Sequence, residues 1–104
     1  MTNRRPLIAG NWKMFKTCPE AVETAARLVK LVAGITDMDV IIAPPFTALA
    51  PVSDVVRGSS VSLGAQNLFW EVQGAFTGEI SPAMLVSAGC RTLSTLNVMV
   101  MKNI

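Results

Sequence analysis

The chain has 104 residues, a formal net charge of +2, a hydrophobic fraction of 51% and a charged fraction of 15%. That length suits one small domain, and the near-neutral charge gives no ground for nucleic acid or an anionic membrane as a partner. The apolar share exceeds what a lone domain of this size carries, which points to an almost fully buried sheet or to a piece of something larger.

Residues 6–9 read as a strand with little alternation, so both faces are expected to be buried. Thr17, Cys18, Pro19 and Glu20 then read as a helix start. Thr17 caps, Glu20 three residues on completes a capping box, and proline is tolerated in the first turn. Val22, Ala25, Val29 and Val32 follow helical spacing, and Gly34 fits just past the helix end. Residues 40–43 form a second short buried strand, stopped by Pro44 and Pro45. Residues 47–57 form a weaker helix, with Pro51 near its first turn and Gly58 at its end. Residues 61–65 form a third strand. Residues 66–79 form a long connection, and Ser81-Pro82 starts a short helix over 83–88 closed by Gly89. Alternating short strands and helices imply a parallel sheet with crossover helices. Apolar strands covered by helices on one face suggest part of a closed barrel, with Ile8, Ile42 and Leu63 directed to its centre. A fourth strand is expected in the tail, where 96–101 is apolar apart from Asn97.

Two cysteines, Cys18 and Cys90, stand far apart in a chain that opens on polar and basic residues. The expectation is a reducing, cytoplasmic setting with both thiols as small helix-start or core residues. The longest apolar stretch, 40–52, is broken by three prolines, so no membrane-spanning helix is expected. The chain has no histidine, so no imidazole of its own can serve as acid, base or metal ligand.

Functional groups in α/β folds collect at the C-terminal ends of strands. Asn11 and Lys13 follow the first strand, and side chains two apart in an extended segment point the same way. An amide and an ammonium on one side suit an anionic, oxygen-rich ligand; the plain alternative is a solvated loop lysine. Pro44, Pro45 and Phe46 read as a stiff turn. The 66–79 connection is long for a strand-to-helix loop, and Phe69, Trp70 and Phe76 make it either an interface or a loop folded back on its own domain. Glu71 and Glu79 flank it; paired carboxylates suit acid-base work, but loop and helix-start roles are commoner.

"GNWKM" at 10–14, "APPFTAL" at 43–49, "GAQN" at 64–67 and "GAFTGEISPAML" at 74–85 resemble motifs of the triosephosphate isomerase family, in order and at fitting spacing. Phe15 stands where many members have asparagine. The resemblance implies an α/β fold, a TIM (β/α)8 barrel of about 250 residues, of which 1–104 would be roughly the first 40%. It also implies interconversion of dihydroxyacetone phosphate and glyceraldehyde 3-phosphate through an enediolate, in glycolysis and gluconeogenesis. Asn11 and Lys13 would be catalytic, Asn11, Trp12 and Lys13 would bind substrate, and no cofactor or metal would be needed. The loop after the third strand resembles the family's dimer loop. Thr77 would insert beside Asn11 and Lys13 of a partner subunit, braced by Gln66, Asn67 and Glu79, with Met14 and Phe76 also in a homodimer interface. No nucleic acid or membrane partner is implied.

The family requires an imidazole electrophile after strand four and a glutamate base after strand six, chemistry that is the family's own and is not read from this chain. A Gly-His-Ser-Glu-Arg segment is expected where the sequence departs from the family over 92–104. One reading is a frame slip: codons for Tyr-Val-Ile read one nucleotide late spell Thr-Leu-Ser, as at 92–94. Others are a non-catalytic fragment able only to associate through 66–79, and a partial barrel built deliberately.

Overall fold

The computed structural model describes residues 5–90; the expected fourth strand and the 92–104 departure lie outside them. The elements are β1 (Leu7–Asn11), α1 (Cys18–Val32), β2 (Asp39–Ala43), a 3-10 turn (Phe46–Ala48), α2 (Leu49–Val56), β3 (Val61–Leu63) and α3 (Pro82–Ser87). The strands form one parallel sheet in the order β1-β2-β3. Parallel neighbours need a crossover between them, and α1 and α2 supply it.

Register sorts the side chains. Val40 pairs with Val61 and Ile42 with Leu63, and these four join Ala21, Ala25, Leu49, Val52 and Leu85 in the core against the helices. Side chains alternate faces along a strand, so Ile41 and Ala43 stand on the opposite face, buried but outside that core. Ile42 and Leu63, and Ile8 by its pairing with Val40, are therefore helix-side residues and not barrel-centre ones. Composition cannot decide this point where consecutive residues are all apolar, because parity depends on register.

Strand one also differs from expectation. It runs to Asn11, and Leu7 and Ile8 are 48% and 52% exposed. Among the described residues β1 and β3 are the two sheet edges, so the apolar run of β1 has a neighbour on one side only. The exposed end is held by Arg5, whose guanidinium donates to the Asp39 carboxylate at 3.3 Å and the Thr36 carbonyl at 3.0 Å.

Helix α1 begins where expected. The Glu20 carboxylate accepts from the Thr17 backbone N–H and hydroxyl, both at 2.9 Å, and these bonds, aided weakly by Lys16, hold its pKa below the ordinary carboxylate value. Its buried stripe is Ala21, Ala25 and Val32, with Leu28 and Val29 packed alongside. Ala25, Val29 and Val32 fall on the expected face, and Ala21 takes the buried place expected for Val22. Gly34 follows the Ala33 cap as expected. Helix α2 is preceded by the 3-10 turn, and Pro51 falls in its first turn, where no N–H is required. Gly58, at φ 78, ends that segment. Strand β3 stops at Leu63, although the Gly64 N–H extends the ladder to the Ile42 carbonyl at 2.9 Å.

Helix α3 has six residues, too few for stability by itself. Ser81 caps it by accepting from the Met84 N–H at 3.3 Å, and Leu85 is fully buried, a contribution of about 1.5–3 kcal/mol. Gly89 lets its end meet α2: φ is 105, and a Cβ there would lie 1.9 Å from Ser53 Oγ. Cys90 follows, its N–H bonded to the Leu85 carbonyl at 3.0 Å.

Two outcomes follow from this packing. An unpaired apolar edge is a template for association, so sedimentation should give a mass above 11.1 kDa that rises with concentration. Leu7→Lys should return it towards the monomer, while a concentration-independent monomer of the unaltered chain would contradict the edge argument. Burial pushes the Cys90 thiol from 9.0 up to about 11, whereas Cys18 is exposed. Alkylation at pH 8 should therefore modify Cys18 and spare Cys90 in the folded chain. The fold favours the neutral thiol, so that contribution to stability is complete below pH 9.0 and is lost as pH rises towards 11. A Cys90→Ser variant should show a flatter stability profile across that window.

Candidate active site

Strand β1 ends on Asn11 and the backbone then turns. The Phe15 N–H bonds to the Trp12 carbonyl at 3.1 Å, with Lys13 and Met14 at the corners. Lys13 is left-handed, at φ 54, a conformation that costs a non-glycine residue roughly 1–2 kcal/mol. It is not extended, so the reasoning that placed Asn11 and Lys13 on one side by two-residue alternation does not apply. They converge by another route: Asn11 Oδ1 accepts from the Lys13 backbone N–H at 2.8 Å. This Asx-type bond supports the left-handed residue. Both residues line a cleft of about 560 Å³ at the C-terminal ends of the strands, with Met14, Gln66, Asn67 and the 45–47 turn.

Trp12 contributes backbone. Its N–H donates to the Ala43 carbonyl at 3.1 Å, and its indole packs against the core. Lys16, also left-handed at φ 79, holds its ammonium 5.8 Å from the Trp12 ring centroid, a cation–π contact. Phe15 is 70% exposed.

Gln66 ties strand ends within its own chain. Its amide nitrogen donates to the Lys13 carbonyl at 2.8 Å and to the Ala43 carbonyl at 2.9 Å, tying loop, β1 and β2 within one chain. Sequence reasoning missed this tie, and also missed Phe46 and Thr47 as cleft walls, because neither position carries a titratable group. The one available signal was a two-proton donor placed three residues after a strand end. Asn67 lines the cleft beside it, and its Oδ1 is buried without a hydrogen-bond partner among the described residues. A desolvated acceptor costs about 1–3 kcal/mol, so this one favours an occupant that carries a donor.

Phe76, Thr77 and Glu79 are not brought to that cleft. The Glu79 N–H bonds to the Phe76 carbonyl at 3.0 Å, and Gly78 sits at φ 83, as in a type II turn with exposed Thr77 at its tip. Phe69 stacks on Trp70 and contacts Phe76, each with ring centroids 4.6 Å apart. The loop is therefore organised about its own aromatics, yet Trp70 remains 71% exposed. Glu71 and Glu79 line a separate hollow of about 240 Å³. No cluster of His, Cys, Asp or Glu able to hold a metal occurs among the described residues, and no helix there is long and apolar enough to cross a membrane.

A parallel β/α segment with polar groups gathered at the strand C-termini defines a piece of a barrel of the TIM class. The family model for triosephosphate isomerase matches residues 6–95. The chain is 53% identical over 87 residues to triosephosphate isomerase of Geobacter metallireducens, covering 84% of this chain and 35% of that protein. It is 56% identical over 88 residues to that of Chloroflexus aurantiacus, covering 85% and 35%. It superposes on a crystal structure of triosephosphate isomerase from Bartonella henselae with a TM-score of 0.71 at 35% identity, covering 84% of this chain and 35% of that one. The chain belongs to the triosephosphate isomerase family, and it spans about a third of the length of these relatives.

The strain at Lys13 is directly measurable. Lys13→Gly should be more stable than Lys13→Ala by about 1 kcal/mol, since both lose the ammonium and glycine alone is at ease at that φ. Equal denaturation midpoints would mean that the residue is not left-handed in solution.

Proposed function

We propose that this chain supplies the strand-one side of an isomerase site that interconverts dihydroxyacetone phosphate and glyceraldehyde 3-phosphate. The observation that carries the reading is Lys13, held in a strained conformation by Asn11 at the rim of a cleft. Strain persists where surrounding structure over-determines it, commonly at functional sites. In this role Lys13 is a fixed counter-charge. It attracts the phosphate dianion and stabilises the negative charge that develops on oxygen when a proton leaves the carbon beside the carbonyl, and such preorganised charge is worth most where water is excluded. Asn11 fixes the Lys13 backbone, and Trp12 anchors the segment to β2. The imidazole would come from another segment of a complete barrel, because this chain has no histidine, and by the family resemblance so would the glutamate base. The reaction requires neither cofactor nor metal, and its setting would be the cytoplasm.

The same reading makes the protein a homodimer through residues 66–79. Thr77, exposed at a turn tip, has the hydroxyl donor that the buried Asn67 acceptor calls for, and Met14, Gln66, Phe76 and Glu79 would surround the contact. Residues 1–104 would form a partial barrel domain, with 92–104 departing from the family pattern. A second reading, favoured by the exposed Leu7 and Ile8 on the edge of β1, is a chain whose only activity is association.

Turnover separates them. The 104-residue chain by itself should give no isomerisation above a buffer control, since general acid–base groups typically contribute roughly 10²- to 10⁴-fold each. A rate that Lys13→Ala abolishes would refute that expectation. When residues 1–91 are joined to the remaining part of a family barrel, Lys13→Ala should lower turnover roughly 10²- to 10³-fold with little loss of stability. Unchanged turnover would make Lys13 a solvated loop residue.

A further inference from the structure

We infer that Gln66 is the positioning residue for Lys13: its side-chain amide locks the left-handed turn that presents the ammonium, and so joins the loop after β3 to the site at the end of β1. The importance of this for catalysis rests on the reading of Lys13 given above; the geometry does not.

A left-handed lysine is disfavoured and needs restraint at both of its peptide groups. On the N-terminal side, Asn11 Oδ1 accepts from the Lys13 N–H at 2.8 Å. On the C-terminal side, the Lys13 carbonyl accepts from Gln66 Nε2 at 2.8 Å. A primary amide has two protons, and the second goes to the Ala43 carbonyl at 2.9 Å. Ala43 is fully buried at the end of β2, so Lys13 is referred to the most rigid part of the sheet and not to another loop. The Ala43 carbonyl also accepts from the Trp12 N–H at 3.1 Å, which places Trp12 and Gln66 on one oxygen. Fifty-three positions separate Gln66 from Lys13 in the chain, so no local turn chemistry can make this restraint. Gln66 is also the first residue past the buried Gly64–Ala65 pair that continues β3, so its backbone is anchored while its side chain reaches across. No other residue type of this length presents two uncharged N–H donors in one plane: methionine has none, and an ionised glutamate would face both carbonyls with like polarity.

The test uses the isotopically labelled 104-residue chain and reads Lys13 directly by NMR. In the unaltered chain, Lys13 should show the Cα shift and N–H to Hα coupling of a left-handed residue. In Gln66→Met, Lys13 should lose that signature, and its amide, now less restrained at Asn11, should exchange roughly fivefold faster or more. Signals of α1 and of Cys90 should be unchanged. Gln66→Glu should match Gln66→Met above the carboxylate pKa and recover part of the Lys13 signature when protonation supplies a single O–H donor for the Lys13 carbonyl, a reversal that a general packing role would not produce. Retention of the left-handed signature in Gln66→Met would overturn the inference. So would collapse of both variants with loss of the α1 signals, since Gln66 would then support the fold as a whole. Absence of isomerase turnover in a completed barrel would count against the function proposed above and would leave this geometry standing.

Discussion

The carbonyl oxygen of Ala43 is the point on which the site depends. It lies at the C-terminal end of β2, buried, and accepts from the Trp12 N–H on one side and the Gln66 amide on the other. Strand ends are where backbone polar groups lose their ladder partners, and a buried carbonyl without one is costly. Here the requirement is met by drawing in the segments that follow β1 and β3. The three strand ends are thereby tied to one another, and the Asn11–Lys13 turn is held over the cleft beside them. The cleft follows from satisfying the sheet's own backbone.

The two faces of the sheet carry different tasks, and their separation follows from parity. Val40, Ile42, Val61 and Leu63 close a core with α1, α2 and α3. The opposite face bears Ile41 and Ala43, and by register Leu7, Ala9 and Asn11. A single shift of register would exchange the faces, removing Leu63 from the core and turning Asn11 towards the helices. The exposure of Leu7 and Ile8 marks β1 as an edge in a chain that spans about a third of its relatives' length. By register Leu7 lies on the face of Ile41 and Ile8 on the helix side with Val40, so the start of β1 leaves both faces uncovered.

The 66–79 segment joins a tie to a protrusion. Its first residue is pinned to Lys13 and Ala43, while its far end turns at Thr77-Gly78 around a cluster of Phe69, Trp70 and Phe76. Gly74 is required there, at φ 152, because a Cβ would lie 2.4 Å from the Phe76 ring. A loop that organises its own aromatics yet leaves Trp70 exposed is stiff enough to present a surface without hiding it.

Much of the local architecture was legible in the sequence, and the reason is that it is local. Thr17 and Glu20 define the start of α1 within four residues, Ser81-Pro82 does the same for α3, and Pro44-Pro45 ends β2. Asn11 and Lys13 could be singled out because a strand end followed by an amide and an ammonium is itself a chemical signal. What the sequence could not supply was anything set by register or by distance across the fold. Runs such as Val40-Ile41-Ile42 are apolar throughout, so parity is invisible until β2 has neighbours on both sides. The left-handed turn at Lys13 violates local preference and is held at its two peptide groups by Asn11 and the distant Gln66. The sequence by itself determined where helices start, where strands stop and which charged group stands at a strand end, since capping, proline geometry and charge act between near neighbours. Only the tertiary structure decided which face each strand buries and how Lys13 is aimed, since those depend on hydrogen bonds closed across fifty-three positions of chain.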